Sequence, residues 1–239
     1  MRSALFGVCG LLLGCASSTA PGTPPAPVGA EASEPTAAAA AEPVDPVARL
    51  DALEASLLAQ TVRLRFAVRS TGVVEAQFIG ALAMDGQAVE LRAAGSFAGT
   101  PVELAFEANG TRMTGTGGAR DFDLPQPEGL RDAIAVGLVR MGLLHTLAVL
   151  SAGMPPDHAD GDVRTWLKRT VQPGVPTVAV MEPAHDTLPT DPITFVTAVE
   201  GEDALTATLW FEDGMPVERQ QQTRFPDGTM DVQESFDPL

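Results

Sequence analysis

The chain has 239 residues and a formal net charge of −16, from 31 acidic and 15 basic side chains. That balance excludes the basic surface a nucleic-acid binder needs and argues against electrostatic docking on anionic lipid headgroups. Both cysteines, Cys9 and Cys15, lie near the N-terminus, so no disulfide framework holds the rest of the chain together.

Residues 1–14 read as a signal peptide. Arg2 supplies the positive start, and Leu5 to Gly14 form a ten-residue apolar run. At about 1.5 Å per residue that run is too short for a bilayer, which takes roughly 20 residues, and it fits a signal-peptide h-region. It ends in Leu12-Leu13-Gly14-Cys15, with an apolar residue three before the cut, a small residue just before it, and a thiol. These residues resemble the lipobox of bacterial lipoproteins. The resemblance implies cleavage after Gly14, thioether lipidation of Cys15, and acylation of the new amine by a fatty acid such as palmitate. An ordinary signal peptide with a chance cysteine is the competing reading. Ala16 is not the aspartate that retains some lipoproteins in the inner membrane, so the lipobox implies outer-membrane anchoring toward the periplasm.

Residues 15–45 read as the lipidated cysteine and a tether. The segment is built mainly from Ala, Pro, Ser, Thr, Gly and Glu, with almost no large apolar side chain to offset the entropy of ordering. Residues 46–239 read as one domain. Asp45-Pro46 is an N-cap with proline at the first helical position. Val47, Leu50, Leu53 and Leu57 then mark an amphipathic helix ending near Gln60. The period next drops to two: Val62, Leu64, Phe66 and Val68 alternate with Arg63, Arg65 and Arg69 on a cationic face. Further strands are predicted over Val74–Met84, Val89–Phe97 and Val102–Phe106, with a short fifth. Turns fall at Asp85-Gly86 and Asn109-Gly110.

After Pro127, the residues Leu130, Ile134, Leu138, Met141 and Leu144 predict one helix of about 20 residues, apolar over much of its circumference. Arg140 near its centre speaks for burial against a sheet rather than a membrane span. A short helix is predicted from Asp162 to about Arg169, carrying Trp166. A proline-rich surface stretch follows over Gln172–Pro192. Closing strands are predicted over Ile193–Val199, Leu205–Phe211, Val217–Phe225 and Met230–Phe236, with turns at Asp213-Gly214 and Asp227-Gly228. The fold class is α+β: a strongly curved antiparallel sheet of about nine strands, an unclosed β-barrel with helices on its concave side.

Catalytic signatures are missing. No G-x-S-x-G elbow, phosphate loop or G-x-G-x-x-G occurs, and His145, His158 and His185 form no H-x-x-x-H pair. The chain is therefore read as no enzyme, with no cofactor. The Asp157–Asp162 cluster can be a cation site or, more simply, a helix cap. His145 reads as an interior or edge residue. Arg140 needs a partner, either a sheet carboxylate or a ligand headgroup.

The order of elements, with Val62-Arg63-Leu64-Arg65-Phe66 after the first helix and Trp210-Phe211-Glu212-Asp213-Gly214-Met215-Pro216-Val217 near the end, resembles the periplasmic lipoprotein-carrier superfamily of LolA, LolB and the mycobacterial lipid-carrying lipoproteins. The resemblance covers about residues 46–237. It implies a hydrophobic cavity lidded by helices that holds acyl chains without covalent chemistry. The lining candidates are Phe66, Phe78, Leu91, Phe97, Leu104 and Phe106 from the sheet, with Ile134, Leu138 and Met141 from the helix. Sequence alone does not separate lining from core, and a packed core is the default reading of the same residues. Expected partners are the membrane through acylated Cys15 and lipid or lipoprotein acyl chains. An envelope protein bound by a non-catalytic sensor or structural lipoprotein is the alternative.

Overall fold

The computed structural model describes residues 45–156, 171–173, 181–199 and 202–239. The predicted signal peptide, Cys15 and the tether up to residue 44 lie outside the described residues. So do the Asp157–Asp162 cluster and the short helix after it.

Helix α1 spans Pro46–Ala59, and its N-cap is the predicted one: Asp45 Oδ1 accepts the Val47 N–H at 3.0 Å. Leu50, Leu53 and Leu57 are buried, and so is Glu54 on the same helix. The N-terminal strands are β1 (Val62–Gly72), β2 (Ala76–Asp85), β3 (Ala88–Phe97), β4 (Thr100–Asn109), β5 (Arg112–Thr116) and β6 (Phe122–Pro125). Strict alternation of buried and exposed residues from Val62 to Ser70 puts the apolar face of β1 inward and Arg63, Arg65 and Arg69 outward.

The C-terminal strands are β7 (Val171–Pro173), β8 (Ile193–Val199), β9 (Glu202–Glu212), β10 (Met215–Phe225) and β11 (Gly228–Pro238). Gln172 and Pro173, expected as the start of a wandering surface stretch, instead pair with β8 as part of the edge strand Val171–Pro173. The Asp213-Gly214 turn forms as predicted, with both residues at positive φ (51° and 75°), the two-residue loop that suits the right-handed twist of a hairpin.

All eleven strands make one antiparallel sheet in the order β6-β5-β4-β3-β2-β1-β11-β10-β9-β8-β7. Two meanders meet where β1 pairs with β11, Phe66 opposite Phe236. The sheet does not close: β6 and β7 are its free edges. Eleven strands laid flat would be about 50 Å wide, whereas α1 is about 20 Å long. Yet α1 touches β7, β8 and β10, and α3 (Leu143–Ser151) touches β3, β4 and β11. The sheet must therefore bend around the helices, which occupy its concave face.

The predicted 20-residue helix is not continuous. It consists of α2 (Leu130–Val136), one wide π-helical turn over Gly137–Met141, and α3, with a bend of 117° at Gly142. Gly142 has φ +89° and ψ 160°, a conformation only glycine adopts readily, so the helix must stop there. No single helix among the described residues is long and apolar enough to cross a membrane.

Candidate functional site

The concave interior holds the residues that the family resemblance implied as a lining. Phe66, Phe78, Leu91, Leu104, Phe106, Ile134 and Leu138 are all buried in one continuous apolar cluster between sheet and helices. Phe97 is half-buried against that cluster, and Met141 is half-buried at the helix break. The structure thus brings most of the predicted lining together, side chain against side chain. Phe106 meets Phe122 with ring centroids 6.4 Å apart.

Polar groups concentrate at the helix break. Arg219 on β10 and Glu234 on β11 are direct register partners, and both are buried on the concave side. Arg219 donates to the carbonyls of Val139 (2.7 Å) and Arg140 (3.0 Å), the last of the helical segment before the break. Its guanidinium also bonds Gln221 Oε1 at 2.7 Å and lies 5.5 Å from the Phe195 ring centroid. Glu234 Oε1 accepts the Leu144 N–H at 2.9 Å, and the Leu143 amide also favours its carboxylate, so it caps the first turn of α3. A cation thus meets a helix C-terminus and an anion meets a helix N-terminus, each in the sense the helix dipole favours.

Burial opposes both charges. It lowers the Arg219 pKa to about 10, partly countered by Glu234. It raises the Glu234 pKa, countered by Arg219 and the two amides. Gly142 sits between them: a Cβ there would lie 2.8 Å from Glu234 Oε1 and 3.0 Å from Arg219 Nε.

Arg140 has a carboxylate partner, but on a helix rather than on the sheet. Its Nε bonds Glu54 Oε1 at 2.5 Å and its Nη2 bonds Asp51 Oδ1 at 2.8 Å, tying the π turn to α1. His145 is half-buried on α3. Sequence reasoning missed Arg219 and Glu234. The available signal was a pair of charged residues at inward positions of two consecutive strands, legible only once the register was known.

The convex face differs between the two halves. Over β10 and β11 it is covered by residues 181–185. Buried Glu218 accepts from the Ala184 N–H at 2.9 Å and lies 3.3 Å from His185 Nδ1, and Gln233 donates to the Glu182 carbonyl at 2.6 Å. Over β1–β5 none of the described residues outside the sheet is seen to cover it, and it carries two open grooves of about 730 and 890 Å³ with several alanines in their floors.

The fold and interior together define an unclosed antiparallel half-barrel with an apolar concave face under a bent helical pair. No protein-family model and no curated protein matches the chain. Among solved structures, LprF from Mycobacterium bovis is similar over 80% of this chain and 91% of that one, with 11% identity and a TM-score of 0.36. A likeness that loose transfers no residue's role.

Proposed function

We propose that this chain is a lipid-anchored protein of the cell envelope that binds lipid or lipoprotein acyl chains, without covalent chemistry, between its helical pair and the concave face of its sheet. The anchor is acylated Cys15, and the membrane is the outer membrane, with the domain facing the periplasm. One observation carries the reading: away from the Arg219–Glu234 pair, α2–α3 packs on a continuous apolar stretch of the sheet and is broken at a glycine, so aliphatic surface lies on both sides of a jointed cover. An acyl chain entering there exchanges apolar contacts for apolar contacts and strands no hydrogen-bonding group.

The test is native mass spectrometry of the mature chain beside its denatured mass, after incubation with phospholipid. A bound mass that dissociates as lipid, and that Met141→Lys abolishes while far-UV circular dichroism is unchanged, is the expected result. A clean apo mass would remove the acyl-chain role. It would favour a second reading, a sensor or structural lipoprotein that binds an envelope protein. The close filling of the concave interior supports that reading.

A further inference from the structure

The acidity of the whole chain hides a local exception on the convex face. Arg63, Arg65 and Arg69 project outward from β1, the strand that joins the two meanders, and all three are exposed. The other outward arginines on β1–β5 are neutralised: Arg92 by Glu90 at 2.7 Å and Glu107 at 2.5 Å, and Arg112 by Asp123 at 2.7 Å. Among the described residues, no ion pair reaches Arg63, Arg65 or Arg69. The row extends about 20 Å, six residues at roughly 3.3 Å each.

The gap in the row is filled by an aliphatic side chain. At position 67 the outward residue is alanine, and its register partner on β2 is Ile79. At 63% exposure, Ile79 is the most exposed large apolar side chain among the described residues. Its outward neighbours are small: Ala81, Ala94 and Ala105 help floor the groove that Arg65 and Ile79 border. Guanidinium groups on long stems thus surround one raised aliphatic chain on a low floor.

We propose that this face docks on an anionic phospholipid bilayer. Guanidinium forks match phosphate oxygens in pairs. The raised Ile79 reaches the apolar depth just below the headgroups, as in interfacial anchoring. An acidic protein strand would present its charges at every second residue, whereas this row is interrupted at Ala67 by an apolar group. A headgroup layer has diffuse charge and needs no such register. Asp237 lies opposite Arg65 in the β1–β11 register without forming an ion pair with it, and it offsets one of the three charges. Acidic residues more than about 8 Å away are largely screened at physiological salt, so the row keeps a net positive charge. The proposal rests on the convex face alone and stands or falls independently of acyl-chain binding inside.

The test is vesicle flotation of residues 16–239, which lack Cys15 and so carry no lipid. Vesicles of phosphatidylglycerol mixed with phosphatidylcholine are compared with vesicles of phosphatidylcholine alone. Each interfacial cation is worth about a fivefold gain, so Arg63→Gln/Arg65→Gln/Arg69→Gln should weaken binding to the mixed vesicles on the order of 100-fold. Ile79→Ser should weaken it about tenfold. Arg92→Gln/Arg112→Gln, which removes the paired arginines, should change it little. Equal binding by the triple variant and the parent, or equal binding to neutral vesicles, would overturn the proposal. So would binding that appears only after residues 16–44 are removed, because the occupant of the row would then be that segment, with its Glu31, Glu34 and Glu42. Unchanged far-UV circular dichroism separates lost docking from lost fold.

Discussion

Gly142→Ala is the sharpest perturbation of the helix break. The backbone there has φ +89° and ψ 160°, and holding a side-chain-bearing residue in that region costs about 1–3 kcal/mol. The added methyl also falls 2.8 Å from Glu234 Oε1, closer than real Cβ contacts come. That oxygen must move, and it is the acceptor of the 2.9 Å bond from Leu144. Weakening a bond to a buried charged group adds about 1.5–3 kcal/mol. The sum is about 2.5–6 kcal/mol, or a fall in Tm of roughly 10 °C for a domain of this size. Gly86→Ala is the control. It too has a positive φ, +56°, but its Cβ would meet nothing within 4 Å, so it should lose only the strain of about 1–2 kcal/mol. Urea titration followed by circular dichroism measures both. Equal losses in the two variants would refute the claim that Gly142 is fixed by its contact with the Arg219–Glu234 pair.

Arg140→Met should cost about 3–5 kcal/mol in the same titration, because it leaves buried Glu54 without its guanidinium. Adding Glu54→Leu should recover a large part of that loss. Glu234→Gln should flatten the dependence of stability on pH. The folded state raises this carboxyl above its ordinary 4.5, so the folded chain holds the proton more tightly than the unfolded one. As pH rises above 4.5, the wild type therefore loses a contribution that the glutamine variant never has. Parallel stability–pH curves for the two proteins would count against that assignment. Phe106→Ala should cost about 3–5 kcal/mol as a cavity in the core, whereas exposed Ile79→Ser should stay within about 0.5 kcal/mol.

The strands were legible where one face is buried and the other wet. β1 alternates without error from Val62 to Ser70, and the predicted Ile193–Val199 coincides with β8. Hairpin turns were legible through Asp-Gly and Asn-Gly, whose residues tolerate positive φ. The edge strands β6 and β7 were not, because strands of four and three residues are too short to show a period. The single long helix was misread for a related reason. Its apolar spacing continues through Gly142, and only the backbone conformation there ends it. Periodicity reports which face is buried, not whether the axis is straight. Arg140 was legible as a cation in need of a partner, a sheet carboxylate or a ligand headgroup, since the middle of its helix is apolar. Its partners came from α1, because contacts across the fold leave no trace in local spacing. Arg219 and Glu234 were hidden for the same reason: inward facing and pairing both depend on the β10–β11 register.

The distribution of polar anchors implies that the helical cover opens from one end. At its N-terminus, α3 is held by Glu234 through the Leu143 and Leu144 amides, beside fully buried Arg219. Lifting that end uncouples buried charges, at about 3–5 kcal/mol, and also exposes two leucines. At its C-terminus, the tie to the sheet side among the described residues is one backbone bond, from Ala119 N–H to the Ser151 carbonyl at 2.9 Å, with a long contact from Arg120 to Gly153 at 3.4 Å. Lifting that end costs roughly one hydrogen bond and the burial of Val149 and Leu150, about 5 kcal/mol together. Each end exposes two apolar side chains, so the gap is the charge term less one hydrogen bond, about 2–4 kcal/mol, or a factor of roughly 30 or more in the population of the open form. Native-state hydrogen exchange reads that population amide by amide. Amides 149–151 should exchange at least tenfold faster, after correction for intrinsic rates, than amides 143 and 144. If the two ends exchange together, the buried pair does not anchor α3 and the cover moves as a rigid unit. If the C-terminal end leads, an apolar ligand has an entry beside β3 and β4 that breaks no charged contact.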